Sequence, residues 1–391
     1  MQKIILKKNE ERRLLAGHLW IYSNEIDNKE TPLKKFAPGE LVQIFTASNQ
    51  MLGIGYINPN TLLCARLLTR SSTEKIDTNF FTDKISRAFN LRGKFFLQPF
   101  YRLVYAESDN LPGLIIDRYG EYFVVQITTC GMEQLKNFII AALVELFNPV
   151  GVLFKNESDA RELEGLKKYT EVVYGAVPET LLMQENDVEF YIPVILGQKT
   201  GWFYDQRNNR KLILPFIKDK IVLDLYAYVG SFAILAAVHG AKEVIAVDSS
   251  ALAIEFINKN ANLNKVENIV IAKKADVFTF LSGFQRNYFD CILLDPPALI
   301  KRAKDINSGT ALYLKLHCLA LQLLKAGGIL ITSSCSMHLM RDQLLDVIRK
   351  ASLKENKSVK IVQQLHQAPD HPLHPAIKET EYLKGFAVYI A

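Results

Sequence analysis

From about Pro193 onward, short and almost wholly apolar runs alternate with longer amphipathic ones. Ile221–Tyr226, Glu243–Asp248, Ile269–Lys273, Phe289–Asp295 and Gly328–Ser333 have the length and composition of strands buried on both faces. The segments between them, Phe232–His239, Ser250–Leu263, Val277–Gly283 and Thr310–Leu324, carry helical patterning. This alternation predicts a parallel, doubly wound sheet with helices on both sides, a Rossmann-like α/β domain. Val359–Leu365 and Gly385–Ile390 read as two more strands, expected to form an antiparallel edge.

The preceding residues are patterned differently. Up to about residue 75 short strands are broken by turns: Leu41–Phe45 after Pro38-Gly39, Leu52–Tyr56 before Asn58-Pro59-Asn60, then Leu62–Leu68. Short strands at this spacing predict a small barrel-like β domain, with 71–75 as a connector. Residues 76–192 mix a helix (Asn79–Leu91), a strand (Arg102–Glu107), a hairpin (Leu114–Asp117 with Glu121–Thr128), a second helix (Glu133–Phe147) and strands near Val152–Lys155 and Glu171–Tyr174. The expectation is three domains, 1–75, 76–192 and 193–391, with no internal repeat.

Bulk properties narrow the class. The 391 residues exceed one ordinary core, and 49% hydrophobic with 23% charged residues suits a soluble globular protein. No apolar run approaches the ~20 residues a membrane span needs. The opening MQKIILKKNEERRLL carries no secretory signal pattern. Cys64, Cys130, Cys291, Cys318 and Cys335 lack metal-ligand spacing, which fits a reducing cytoplasm and argues against a zinc site. The net charge is +6, and residues 1–75 contribute 11 Lys/Arg minus 7 Asp/Glu, or +4. A polyanionic partner fits this balance, and so does ordinary solubilising charge.

The candidate chemistry lies at the strand ends. Ile221–Phe232 is an apolar strand with an acid, Asp224, followed by a loop with one glycine, Gly230, and a helix. The loop lacks GxGxxG, which makes NAD a poor fit. The next strand ends in Asp248, 24 residues after Asp224, where a carboxylate accepts two hydrogen bonds from a ribose diol. Asp276 is placed to take an adenine amino group, and Asp295-Pro296-Pro297 closes the fourth strand. Each acid alone also reads as a helix cap or loop residue. Four in register at successive strand ends point to a nucleoside cofactor.

The order DLYAYVGSF, VIAVDSS, ADVF, LLDPP and SSCS resembles the class I S-adenosylmethionine methyltransferases. Over the whole chain it is similar to the RlmI-like bacterial large-subunit rRNA cytosine methyltransferases. Gly17–Tyr22 with Gly53–Tyr56 resembles that family's RNA-binding PUA domain, Glu107–Leu114 and Arg161–Leu166 its central domain, and Gly197–Arg207 its most specific stretch. Tyr226, Tyr228-Val229 and Ser231 depart from its usual cofactor loop. The resemblance implies S-adenosylmethionine held around Asp224, Tyr226, Gly230, Asp248, Ser249, Asp276 and Asp295, with Asp205 and Arg207 lining the cofactor or base pocket. It also implies 23S rRNA as partner, a homodimer, a cytoplasmic location and no membrane association.

The acceptor atom sets a further requirement. A ring nitrogen or amine needs mainly positioning, whereas carbon 5 of a pyrimidine reacts only after a nucleophile adds to carbon 6. Cys291 and Cys318 sit in apolar strand and helix patterns, as buried cysteines do, but Cys335 stands among serines just past a strand end. The matching position in RlmI-like enzymes carries the nucleophile, so Cys335 and Asp295 are the expected catalytic pair. The alternatives are methylation of a base nitrogen such as guanine's, a non-catalytic RNA-binding assembly factor, and a small-molecule methyltransferase. His371 and His374 are expected in a loop, and Trp20, Tyr22 and Tyr56 as base-stacking or core aromatics.

Overall fold

A computed structural model describes all 391 residues, in two compact units. The first holds residues 1–181, 194–202 and 369–380; the second holds 182–193, 203–368 and 381–391.

In the first unit, strands Gln2–Ile5, Glu40–Phe45, Met51–Ile57, Leu63–Thr69 and Trp20–Tyr22 form one five-stranded sheet in that order. An isolated bridge, Leu6 to Ile26, joins the segments after its two end strands around a core that includes Ile4, Ile21, Val42 and Leu67. A second five-stranded sheet runs Tyr169–Gly175, Gly151–Asn156, Tyr122–Ile127, Leu114–Tyr119, Phe100–Tyr105. Helices Thr78–Arg92 and Lys136–Phe147 pack on it through Phe81, Ile85, Ile139 and Leu143. The helix expected from Glu133 begins earlier and breaks at Leu135, giving Cys130–Gln134 and Lys136–Phe147. Tyr56 is fully buried, its hydroxyl donating to the Pro112 carbonyl at 2.8 Å, so it is a core residue and not a stacking platform.

The second unit is built on β1 (Ile221–Leu225), β2 (Glu243–Asp248), β3 (Val270–Lys274), β4 (Phe289–Leu294), β5 (Leu324–Ser334), β6 (Val359–His366) and β7 (Lys384–Ile390). Its helices are α1 (Ser231–Val238), α2 (Ala251–Leu263), α3 (Val277–Gly283), α4 (Ile306–Leu323) and α5 (Arg341–Lys354). The sheet order is β3-β2-β1-β4-β5-β7-β6. The first five strands are parallel, and β7 runs antiparallel to both β5 and β6, giving the expected edge. Helix starts are set locally: Ser250 caps α2 by accepting from the Ala253 N–H, and Asp276 caps α3 by accepting from Thr279. The order reverses between β1 and β4, which leaves a crevice at their carboxyl ends.

One element went unanticipated: a two-stranded hairpin, Thr180–Glu185 with Val188–Pro193. Its turn residues, Asn186 and Asp187, have φ of 51° and 63°, the left-handed pair a type I′ hairpin requires. From Leu182 onward this hairpin belongs to the second unit. There the buried Asn260 of α2 clamps it, accepting from the Tyr191 N–H at 2.7 Å and donating to its carbonyl at 3.2 Å. The same amide donates to the Val229 carbonyl at 3.0 Å, tying hairpin, helix and the loop after β1 together. Asn260→Ala leaves three backbone groups, the buried Val229 carbonyl and the part-buried N–H and carbonyl of Tyr191, without that partner, and the expected loss is about 1–2 kcal/mol in urea unfolding. An unchanged urea midpoint would show that these bonds add nothing.

Candidate functional site

Register fixes the depth of each acid. Leu225 lies opposite Val247 on β2 and Leu294 on β4, and Leu294 lies opposite Thr332 on β5. One residue further on, Asp248, Asp295 and Ser333 share a row at the carboxyl edge. Asp224 lies opposite Ala246 and Leu293, two residues short of that row and therefore roughly 6.6 Å deeper. The expected alignment of all four acids is thus corrected for Asp224, and also for Asp276, which lies two residues past Lys274, the partner of Asp248, and caps α3. The Asp224 carboxylate is buried beneath the loop and accepts from the Ala233 N–H in the first turn of α1 at 3.0 Å. Burial pushes this carboxyl up to about 8; Asp295 and Asp248 add to the rise, while the Ala233 N–H and Arg210 oppose it.

The loop above Asp224 has an unusual backbone. Tyr226, Tyr228 and Gly230 have φ of 61°, 50° and 82°, so two tyrosines occupy the left-handed region that glycine enters freely. Such positions are held only where neighbours over-determine them. Here the Tyr228 N–H donates to Asp248 Oδ2 at 2.9 Å, the Ala227 N–H to the Val247 carbonyl at 3.1 Å, and Asn260 holds Val229. Gly230 has a further reason to lack a side chain, since a Cβ would stand 3.2 Å from Ile257 of α2.

These residues suit an adenosine-bearing cofactor. Asp248 is half-buried, and each oxygen accepts one backbone N–H, from Tyr228 and from Ser250, both at 2.9 Å. That leaves each with acceptor capacity for a ribose hydroxyl. Ser249 is exposed beside it. Asp276 is also exposed; its Oδ1 caps α3 through the Thr279 N–H and hydroxyl, and its Oδ2 bonds nothing in the chain. Tyr226 packs on the sheet's apolar cluster together with Ala275 and Phe278.

Asp295 and Cys335 follow the carboxyl ends of β4 and β5. Ser333 Oγ donates to Asp295 Oδ1 at 2.5 Å, and Gln206 Nε2 donates to Oδ2 at 2.9 Å. Gln206 is oriented by Asn209, whose amide donates to Gln206 Oε1 at 2.7 Å. Cys335 follows β5, half-buried, with Sγ 4.0 Å from the Pro296 carbonyl. The serines on either side of it, Ser334 and Ser336, are both held by the buried Tyr313 hydroxyl at 2.8 and 3.0 Å. Ser336 Oγ also accepts the Ile300 N–H at 3.2 Å, which fixes the chain after Asp295-Pro296-Pro297. Cys291, by contrast, is wholly buried in β4, where burial pushes its thiol far up.

The stretch Gly197–Arg207 divides between the units after Trp202. In the second unit, Asp205 is buried and accepts from the Tyr382 hydroxyl at 2.5 Å, and Arg207 pairs with the buried Glu185 of the hairpin at 3.0 Å. Arg210 pairs with the same carboxylate at 2.5 Å. Between Asp205 and Arg207 sits Gln206, which sequence reasoning passed over and which binds Asp295. The signal was available: the segment is helical, so Gln206 and Asn209 share one face and Arg207 and Arg210 another, each pair three residues apart. In the first unit, His371 Nδ1 bonds Asp370 Oδ1 at 2.8 Å, and no group of three or more metal-ligating side chains converges.

Comparison with known proteins agrees with this fold. A PUA-like domain model matches residues 4–70, and a TRM5/TYW2 methyltransferase domain model matches 182–305. Among solved structures, a Streptococcus mutans protein described as a candidate SAM-dependent methyltransferase superposes with a TM-score of 0.83 at 22% identity, covering all of both chains. A methyltransferase structure complexed with SAH gives 0.84, also at 22% and full coverage. Likeness at this level establishes the fold. Fold and site together define a class I S-adenosylmethionine-dependent methyltransferase. Ribosomal RNA large subunit methyltransferase I of Aliivibrio fischeri strain MJ11 is 35% identical and that of Vibrio parahaemolyticus 37%, each over 98% of both chains. The chain belongs to the ribosomal RNA large subunit methyltransferase I family. No helix is long and apolar enough to cross a membrane.

The buried Asp224 gives a measurable pH signature. Its folded pKa, about 8, lies above the ordinary carboxyl value, so the native state retains a proton that the unfolded chain has lost. This contribution is fully present below about pH 4 and is lost as pH rises through 8, with a slope of at most about 1.4 kcal/mol per pH unit. Asp224→Asn mimics the protonated acid, and thermal or urea melts should show a flatter pH dependence between 5 and 8. Parallel curves for the two proteins would contradict the assignment.

Proposed function

We propose that the protein methylates carbon 5 of a cytosine in large-subunit (23S) rRNA, with Cys335 as nucleophile and Asp295 as the base-binding carboxylate. The observation that carries this reading is the placement of the half-buried Cys335 beside the Asp295-Pro296 strand end, with Tyr313 clamping the serines on both sides. The TRM5/TYW2 match ends at residue 305 and so covers the cofactor half and Asp295 but not Cys335. The choice of acceptor atom therefore rests on the cysteine and on full-length relatedness to enzymes named for large-subunit rRNA.

The sulfur of Cys335 adds to carbon 6 of the base, which makes carbon 5 nucleophilic. Asp295, kept in place by Ser333 and Gln206, accepts from the exocyclic amine and orients the ring. S-adenosylmethionine, when bound, would supply an electrophilic methyl group for carbon 5 and leave as S-adenosylhomocysteine. Loss of the carbon 5 proton to a base then expels the Cys335 sulfur and restores the carbon 5–carbon 6 double bond. Asp248, Ser249 and Asp276 would hold the ribose and adenine ends of the cofactor, Tyr226 and Gly230 shape the loop that would cover it, and Asp224 supports that loop from below. Asp205 and Arg207 act on the pocket by holding the segment that carries Gln206.

We also propose the division 1–75, 76–192 and 193–391, with the hairpin from Leu182 packed on the last of these, the PUA-like segment holding RNA, and a homodimer acting in the cytoplasm. Cys335→Ala and Cys335→Ser should lose turnover by at least about a thousandfold while S-adenosylhomocysteine binding stays within a few-fold of wild type. Bisulfite mapping of 23S rRNA from cells with and without the gene reads the product. Methylation found on a base nitrogen, or near-normal turnover by Cys335→Ala, would overturn the reading.

A further inference from the structure

The strand that carries Cys335 is paired to β7 so that Ser334 lies opposite Lys384. Lys384 is 7% exposed, and its side chain reaches past Ser334 toward Ser336. Its Nζ donates to the Ser336 carbonyl at 2.5 Å and to the Tyr382 carbonyl at 3.1 Å. The ammonium thus spans the residue between Ser334 and Ser336, which is Cys335. Two of its three N–H donors are used on those carbonyls, and the third has no acceptor in the chain.

A lysine buried this deeply is out of place unless its charge is used. The two carbonyls give it dipolar partners but no counter-charge, and no carboxylate forms an ion pair with it. Other charges stand further off: Arg341 at the start of α5 and Glu381 ahead of β7, themselves paired at 3.3 Å. His366 of β6 lies opposite Lys384 in register and bonds Arg341 at 3.1 Å, and Tyr313 of α4 and Asp295 after β4 face the Cys335 segment from the other elements.

We infer that Lys384 is a positioning residue for the nucleophile: its ammonium stabilises the Cys335 thiolate and keeps the sulfur ionised at neutral pH. The inference rests on Cys335 being the nucleophile. It explains how a half-buried thiol beside a carboxylate, an environment that works against ionisation, is made reactive. The influence runs both ways. Burial lowers the Lys384 amine to about 8, Cys335 and Glu381 pull it back up, and Arg341 pushes it down. At neutral pH the amine carries its proton, and above about pH 8 the support for the thiolate fades. No proton transfer is needed from Lys384 during the reaction.

The test is the rate of iodoacetamide alkylation at Cys335 as a function of pH, followed by peptide mass spectrometry on the full chain without RNA. In the wild type the midpoint should lie below the ordinary thiol value of about 8.5. Lys384→Gln keeps a donor for the Ser336 carbonyl but removes the charge, and should move the midpoint up by about one pH unit or more. Lys384→Arg keeps the charge and should restore most of the shift. S-adenosylhomocysteine binding by each variant reports that the unit is folded. A wild-type midpoint at or above 8.5, or equal midpoints in wild type and a folded Lys384→Gln, overturns the inference. Turnover by Cys335→Ala is a separate outcome: it removes the nucleophile reading while leaving the alkylation result intact.

Discussion

The reversal of strand order between β1 and β4 is the constraint on which the rest of the second unit depends. Chains leaving the carboxyl ends of these neighbouring strands must diverge, and the sheet edge between them is left open. The loop after β1 and the Asp295-Pro296-Pro297 segment after β4 border that opening, and Cys335 after β5 lies one strand further. Parallel register then sets depth, placing Asp248, Asp295 and Ser333 on a common row and Asp224 beneath them. A one-residue slip in β4 would turn Asp295 to the opposite face and separate it from Ser333 and Gln206.

Much of the polar chemistry in this unit holds irregular backbone in place. Two left-handed tyrosines in five residues would relax if left to themselves, each at roughly 1–3 kcal/mol of strain. Asp248 and Asn260 offset this by binding the loop through its N–H and carbonyl groups. On the other side Tyr313 and Lys384 treat the Cys335 segment in the same way, one through the flanking serines and one through a carbonyl. The loop and the Cys335 segment are therefore held by contacts within the chain, and their geometry does not have to be assembled by binding.

The sheet of the second unit was legible because its strands are buried on both faces and stand out as apolar runs; even the antiparallel edge followed from two late strands. The hairpin at 180–193 escaped although its strands alternate buried and exposed residues, because its turn, Asn186-Asp187, is brief and lacks the glycine of the common two-residue turns. In the site, residues at strand ends were readable from position alone. Asp224 was not, since only the pairing register reveals that it stops two residues short. Gln206 was hidden between two charged neighbours that drew attention first, although helical spacing separates their faces. Lys384 could not have been found from sequence: nothing but the β5–β7 register places it across from the cysteine segment.

The central claim is a covalent bond between Cys335 and carbon 6 of the target cytosine, and 5-fluorocytidine tests it most directly. Fluorine in place of the carbon 5 hydrogen leaves no proton to remove after methyl transfer, so the sulfur cannot be expelled. Large-subunit rRNA carrying this analogue, incubated with the protein and S-adenosylmethionine, should give a protein–RNA species that survives denaturing gels and maps by mass spectrometry to Cys335. A methylated product released without any denaturant-stable species, or a cross-link mapping to another residue, would contradict the account.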